Sequence, residues 1–194
     1  LIGDFVFVNK MAYGYSRYSC PFAMCPIEGR IMGSEPERGD VVVFRHPVNG
    51  SDMIKRLIGL PGDTIQMKDG VLWINGQEVP QQPDGIFEEI YEPQGPMANL
   101  PRCENAPVGQ GGVCTRSRFI ETLPNGRSHS VLNIDSNGYG DNTDVFTVPP
   151  GQYFFMGDNR DNSNDSRYSQ TVGGVGFLPA EFLIGRADRI VFSS

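Results

Sequence analysis

Residues 63–79 read DTIQMKDGVLWINGQEV, and this stretch constrains the fold more than any other. Asp69-Gly70 and Asn75-Gly76 are dipeptides that two-residue hairpin turns prefer, because both central positions need positive φ. The apolar runs between them are too short for helices, so the stretch predicts an antiparallel meander. The same period of two recurs elsewhere. Phe5 and Phe7 alternate with Val6 and Val8, VVVF at 41–44 follows the turn-like ERGD at 37–40, and Pro124-Asn125-Gly126 separates FIETL from SVLNI. Further strands are expected at 145–148, 152–156 and 188–192, with one short helix near Pro179 in LPAEFL. Abundant glycine (24) and proline (15) favour short strands and turns over long helices. The expected class is mainly β, with antiparallel sheets and few short helices.

Residues 80–115 are rich in Pro, Gly and Gln and hold a cysteine pair. They read as an insertion whose loops need a staple. The organisation expected is a core in two parts, 1–79 and 135–194, with a β-rich lobe inserted over 80–134; the 194 residues suffice for both. The net charge of −7, from 16 basic and 23 acidic residues, argues against nucleic acid, whose binding draws on basic side chains. No apolar run approaches the roughly 20 residues of a membrane-spanning helix, and no signal peptide opens the chain. It begins on LIGDFVFV without an initiator methionine, and is expected to be a domain excised from something longer.

Cys20 and Cys25 are separated by four residues, and Cys103 and Cys114 by ten. Zinc sites use such pairs, but neither shows the tight spacing of a zinc knuckle. Two disulfide-closed loops in an oxidising, extracytoplasmic compartment are expected.

Two segments carry groups capable of chemistry. In SDMIKRLIGLPGD, 51–63, strand periodicity puts Lys55 on one face with Met53 and Leu57, and Ile54, Arg56 and Ile58 on the other. An ammonium on an apolar face loses hydration and its pKa falls; a neutral amine is a general base. Taken alone, the segment favours a lysine that snorkels to the sheet edge.

The second segment, MGDNRDNSNDSR at 156–167, crowds acids, amides and arginines behind the core strand expected at 152–156. Calcium is one reading. An EF-hand register from Asp158 puts Arg160 at the third ligand position, one from Asp161 puts Val172 at the twelfth, and DSNGYGDNTD at 135–144 has Tyr139 at the fifth. No register works, and no metal is expected. Mutual satisfaction fits better: Arg160 and Arg167 can pair with Asp158, Asp161 and Asp165, and such a loop can hold the Ser163 hydroxyl in place. Taken alone, a solvated surface turn is the simpler reading.

LIGDFVFVNK, RGDVVVFRHP, IKRLIGLPGD and GDNRDNSNDSR, in that order, with GRA at 185–187, resemble the bacterial type I signal peptidases. The resemblance spans nearly the whole chain apart from the insertion. It implies coiled antiparallel sheets of the signal-peptidase type and a membrane-anchored serine endopeptidase that removes signal peptides from exported proteins. The implied chemistry is a serine nucleophile with a lysine base, without histidine or cofactor. Of the histidines, His46 and His129 lie in no Ser-His-Asp motif. By resemblance Lys55 is the general base, Ser163 orients it, and Asp158, Asp165 and Arg167, with Arg160 beside them, stiffen the site. The substrate is expected to add as a strand against Asp52, Met53 and Ile54, with Val43 and Val6 helping to wall small apolar pockets. The implied location is the bacterial inner membrane, with the catalytic domain periplasmic. The family's nucleophile sits in a proline-serine-glycine-serine-methionine segment a few residues before LIGD, so the chain as it stands is expected to be inactive. A non-catalytic extracytoplasmic binding module that keeps this fold is the alternative, and a dedicated peptidase for one secretion component is a related option.

Overall fold

The computed structural model describes residues 5–16, 30–31, 33–95 and 97–191. Cys20 and Cys25 lie outside them. The strands in chain order are β1 (Phe5–Asn9), β2 (Tyr15–Ser16), β3 (Arg30–Ile31), β4 (Val41–Arg45), β5 (Asp52–Gly59), β6 (Thr64–Lys68), β7 (Val71–Ile74) and β8 (Gln77–Glu78). They continue with β9 (Gln81–Ile90), β10 (Val113–Thr122), β11 (Ser128–Asn133), β12 (Phe146–Thr147), β13 (Gln152–Met156), β14 (Leu178–Pro179) and β15 (Leu183–Val191). The fold is mainly β, as expected.

The largest sheet has the order β1-β15-β4-β5-β13-β14, and its faces serve two cores. Along β13, Tyr153 and Phe155 join Val42, Phe44 and Leu57, while Phe154 and Met156 join Ile58, Ile65, Leu72 and Ile74. This alternation is the period of two that a strand imposes. A fully buried Phe such as Phe155 contributes about 1.5–3 kcal/mol.

The second core is closed by the sheet β12-β6-β7-β8, the predicted meander. Its turns are as expected: Asp69 and Gly70 have φ of 47° and 76°, and Asn75 and Gly76 have φ of 52° and 76°. The LPGD stretch locks β5 to β6. Asp63 accepts from the Leu60 N–H at 2.8 Å, from Arg38 at 2.7 Å and from Asn75 at 3.0 Å. Burial raises the Asp63 pKa, but these donors outweigh it and hold the carboxyl below its ordinary value.

The third sheet, β11-β10-β9, was only half legible. The β10–β11 hairpin follows the Pro124-Asn125-Gly126 turn, but β9 falls where composition suggested loop. Pro83 and Gly85 mask it in the sequence. As the edge strand, β9 tolerates a proline, and the β9–β10 register shifts between Ser117 and Phe119, opposite Pro83. Cys103 and Cys114 form the expected disulfide. The helix expected near Pro179 is a single 3-10 turn, Ala180–Phe182, because Leu183 already begins β15. No helix among the described residues is long and apolar enough to cross a membrane.

Candidate active site

The site forms where β5 outruns its neighbour. On one side β4 pairs with β5 over its whole length, with Val42 opposite Lys55, Val43 opposite Ile54 and Arg45 opposite Asp52. On the other, β13 pairs only as far as Met156, opposite Arg56. Among the described residues no strand lies against that flank of Asp52–Lys55. Its main-chain groups form an open sheet edge.

Lys55 projects from this edge to the face of Val42 and Leu57, both fully buried. The chain leaves β13 at Gly157 beside it, makes a 3-10 turn at Arg160–Asn162, and returns extended through Ser163. Lys55 Nζ donates to Ser163 Oγ at 2.8 Å. Burial pushes the lysine pKa below its ordinary value; Asp165 and Asp158 oppose that shift and Arg167 adds to it. A desolvated amine bonded to one hydroxyl, at the end of an unpaired strand edge, can accept a proton from a nucleophile that attacks a peptide laid along that edge.

Of the ion pairs expected within the 156–167 loop, Arg167–Asp165 forms there, whereas Arg160 and Asp158 find partners outside it. Asp158 is held bidentately by Arg56, with both bonds at 2.8 Å, and Arg56 also donates to the Gly39 carbonyl at 2.9 Å. Arg167 pairs with Asp165 through Nε at 2.9 Å and Nη2 at 3.0 Å. Arg160 turns away from these acids to Glu121 of β10, with bonds of 2.9 and 2.6 Å. Asp161 accepts from the Ile134 N–H at 2.6 Å. Burial raises the Glu121 pKa, but Arg160 and His129 hold it well below the ordinary carboxylate range.

The other expected positions are spread along the main sheet. Asp52 is exposed and paired with Arg45 at 2.5 Å; Met53 packs against the core under Lys55. Ile54 is 41% exposed, beside half-buried Val43. Val6 stands on β1, with β15 and β4 between it and Ile54. His46 is hydrogen-bonded through both ring nitrogens. His46 Nε2 lies 2.7 Å from the Gly174 carbonyl, and its Nδ1 accepts from the Val48 and Asn49 N–H groups, both at 3.2 Å. This bonding makes Nε2 the protonated nitrogen. His129 Nε2 lies 3.1 Å from Glu121.

Sequence reasoning missed three residues. Arg56 was visible as the second cation of IKR, but its partner was not. Glu121 could have been flagged as an acid inside the apolar FIETL strand. Gly157 carried no signal in one sequence, yet a Cβ built on it lies 2.0 Å from Ser163 Oγ and 3.6 Å from Lys55 Nζ. Only a glycine leaves room for the serine there.

The family model described as signal peptidase, peptidase S26, matches residues 1–192. A signal peptidase I of Rickettsia typhi is 43% identical over 203 residues, covering 100% of this chain and 67% of that protein. One of Rickettsia prowazekii is 42% identical over 204 residues, with the same coverage. A crystal structure of a signal peptidase I from Enterococcus faecalis is 26% identical, covering 79% of this chain and 97% of that one, with a TM-score of 0.39. The chain spans about two thirds of the length of the Rickettsia relatives. On the match over 192 residues and the identity to these relatives, the chain belongs to the signal peptidase family, peptidase S26.

Proposed function

We propose that this chain is the catalytic portion of a membrane-anchored signal peptidase I, which removes signal peptides from exported proteins on the periplasmic side of the inner membrane. The observation that carries the reading is the half-buried Lys55 amine, 2.8 Å from the Ser163 hydroxyl at the free edge of β5.

The substrate lies extended and adds as a strand to Asp52–Ile54, where main-chain bonds give affinity and side-chain pockets give selection. Ile54 and Val43, adjacent across β4 and β5, offer a shallow apolar wall for small side chains, and Val6 extends it. The nucleophile is a serine preceding Leu1, the position implied by resemblance to the family. Neutral Lys55 takes the serine proton as Oγ bonds to the scissile carbonyl carbon. The C–N bond breaks, the proton passes to the leaving amine, and an ester remains. Lys55 then takes a proton from water as the hydroxide attacks the ester carbon; the acyl C–O bond breaks, the new carboxyl terminus leaves, and the proton returns to the serine oxygen. Ser163 fixes the amine's direction. Asp158 and Asp165, each held by an arginine, keep the loop in place.

The test uses the full-length protein and a signal-peptide substrate. Lys55→Ala is expected to abolish turnover, while Ser163→Ala lowers it by less, about 10–100-fold, the loss of one hydrogen bond. Substantial cleavage by Lys55→Ala would overturn the scheme.

A further inference from the structure

Ser163 rests on Gly157, and both backbone polar groups of that glycine are held by side chains. Its N–H donates to Asp165 Oδ2 at 3.0 Å, within the same loop. Its carbonyl accepts from Arg160 Nε at 3.2 Å. Arg160 in turn is fixed from outside the loop. Glu121, 39 residues away in sequence and fully buried, takes its two terminal nitrogens. A bidentate fork sets the plane of a guanidinium as well as its position, so β10 decides where Nε points. Arg160 is 2% exposed, which shields that geometry from solvent. The same lobe touches the loop through its backbone, since the Leu132 N–H of β11 donates to the Asp158 carbonyl at 2.8 Å.

The geometry points to Glu121 as a positioning residue for the peptidase: through Arg160 it fixes the Gly157 carbonyl, and with it the distance between Ser163 and Lys55. The three-stranded lobe is thereby part of the catalytic apparatus. The inference rests on the reading of Lys55 as the base. Glu121 faces Arg160, His129 and Gln81; Lys55 faces Ser163, Asp158, Asp165 and Arg167. A loosened Gly157 lets Ser163 drift and water reach the amine. The lysine then titrates closer to its ordinary value.

The chain has three lysines, Lys10, Lys55 and Lys68, so labelling the lysine ε-carbon gives three NMR resonances whose pH titrations can be followed without any activity. Glu121→Asp keeps the charge but withdraws the carboxylate by one carbon, so the fork cannot be held. The double variant Glu121→Leu/Arg160→Met removes the pair in charge balance, an exchange that buried pairs often tolerate. Both are expected to move the Lys55 titration upward by roughly half a pH unit or more. In the full-length enzyme both should lower kcat about tenfold with KM little changed. If wild-type Lys55 titrates at the ordinary lysine value of about 10.4, the reading of Lys55 as base fails. If wild-type Lys55 titrates low and the folded variants match it, only the role of Glu121 fails. If neither variant folds, Glu121 is an anchor of the fold alone and the assignment is also overturned.

Discussion

Replacing Gly157 by alanine tests the site at its tightest point. The added Cβ lies 2.0 Å from Ser163 Oγ and 2.5 Å from Ser163 Cβ. Carbon atoms settle at about 3.5–4.0 Å from one another, so Ser163 must recede by about 1 Å. Its bond from Lys55, now 2.8 Å, then stretches towards 4 Å, beyond the range of a hydrogen bond. Such a bond contributes about 1 kcal/mol between neutral groups and up to about 3 when one is charged. At about 1.4 kcal/mol per factor of ten, kcat/KM should fall roughly 5- to 150-fold. Overpacking adds a stability loss of about 1–3 kcal/mol, so rates are compared well below the melting temperature of the variant. The assay is cleavage of a signal-peptide substrate by full-length enzyme, with kcat and KM separated. Gly109→Ala is the control, because a Cβ there meets nothing within 4 Å; it should behave as wild type. Wild-type kcat/KM in Gly157→Ala would refute the idea that the hydroxyl of Ser163 must sit where it does.

Lys55 should cost the fold stability. Burial lowers its folded pKa, so the unfolded chain holds the proton more tightly. The penalty is full below the folded pKa and fades as pH rises towards the unfolded value of about 10.4. Lys55→Met should therefore raise Tm at neutral pH, by roughly 2–4 °C per kcal/mol recovered, with the gain shrinking towards pH 10; thermal melts across pH check the sign. The Cys103–Cys114 bridge closes a loop with a sequence separation of 11, for which the chain-entropy relation gives about 2–3 kcal/mol. Replacing both cysteines by serine should lower denaturant stability by that amount.

What the sequence showed, and what it hid, divides by range. The meander was readable because each turn is a local event: Asp69-Gly70 and Asn75-Gly76 need only their own backbone angles. The two faces around Lys55 were readable for the same reason. Partner choice was not. Arg160 stands two residues from Asp158 and five from Asp165 in sequence, and proximity suggested pairing within the loop. The 3-10 turn at Arg160–Asn162 instead sends its side chain to Glu121, and Asp158 is left for Arg56. A strand pairing that spans the inserted lobe decides this, and no local pattern encodes it. Strand β9 was hidden differently, because an edge strand needs only half of its hydrogen bonds and so carries the Pro and Gly that mark loops elsewhere.

The free edge and the half-buried amine are two consequences of one register. The Val42–Lys55 pairing puts the lysine on the face of Leu57 and Phe155. A slip of one residue would turn it to the opposite face and bring Ile54 inward, as strand periodicity requires. The same pairing fixes how far β5 extends beyond Met156, and so how many main-chain groups remain open at Asp52–Lys55. Between these, Gly59 sets the anchor point. A Cβ there would lie 2.8 Å from Phe154 Cβ and 3.0 Å from Ile65, so only glycine lets β5 approach β13 and β6 closely enough to hold this register. The open edge at Asp52–Ile54 and the Lys55 amine are thus placed together by packing at the far end of β5. A side chain introduced at Gly59 disturbs both at once, whereas one introduced at Gly157 disturbs only the contact between Ser163 and the amine.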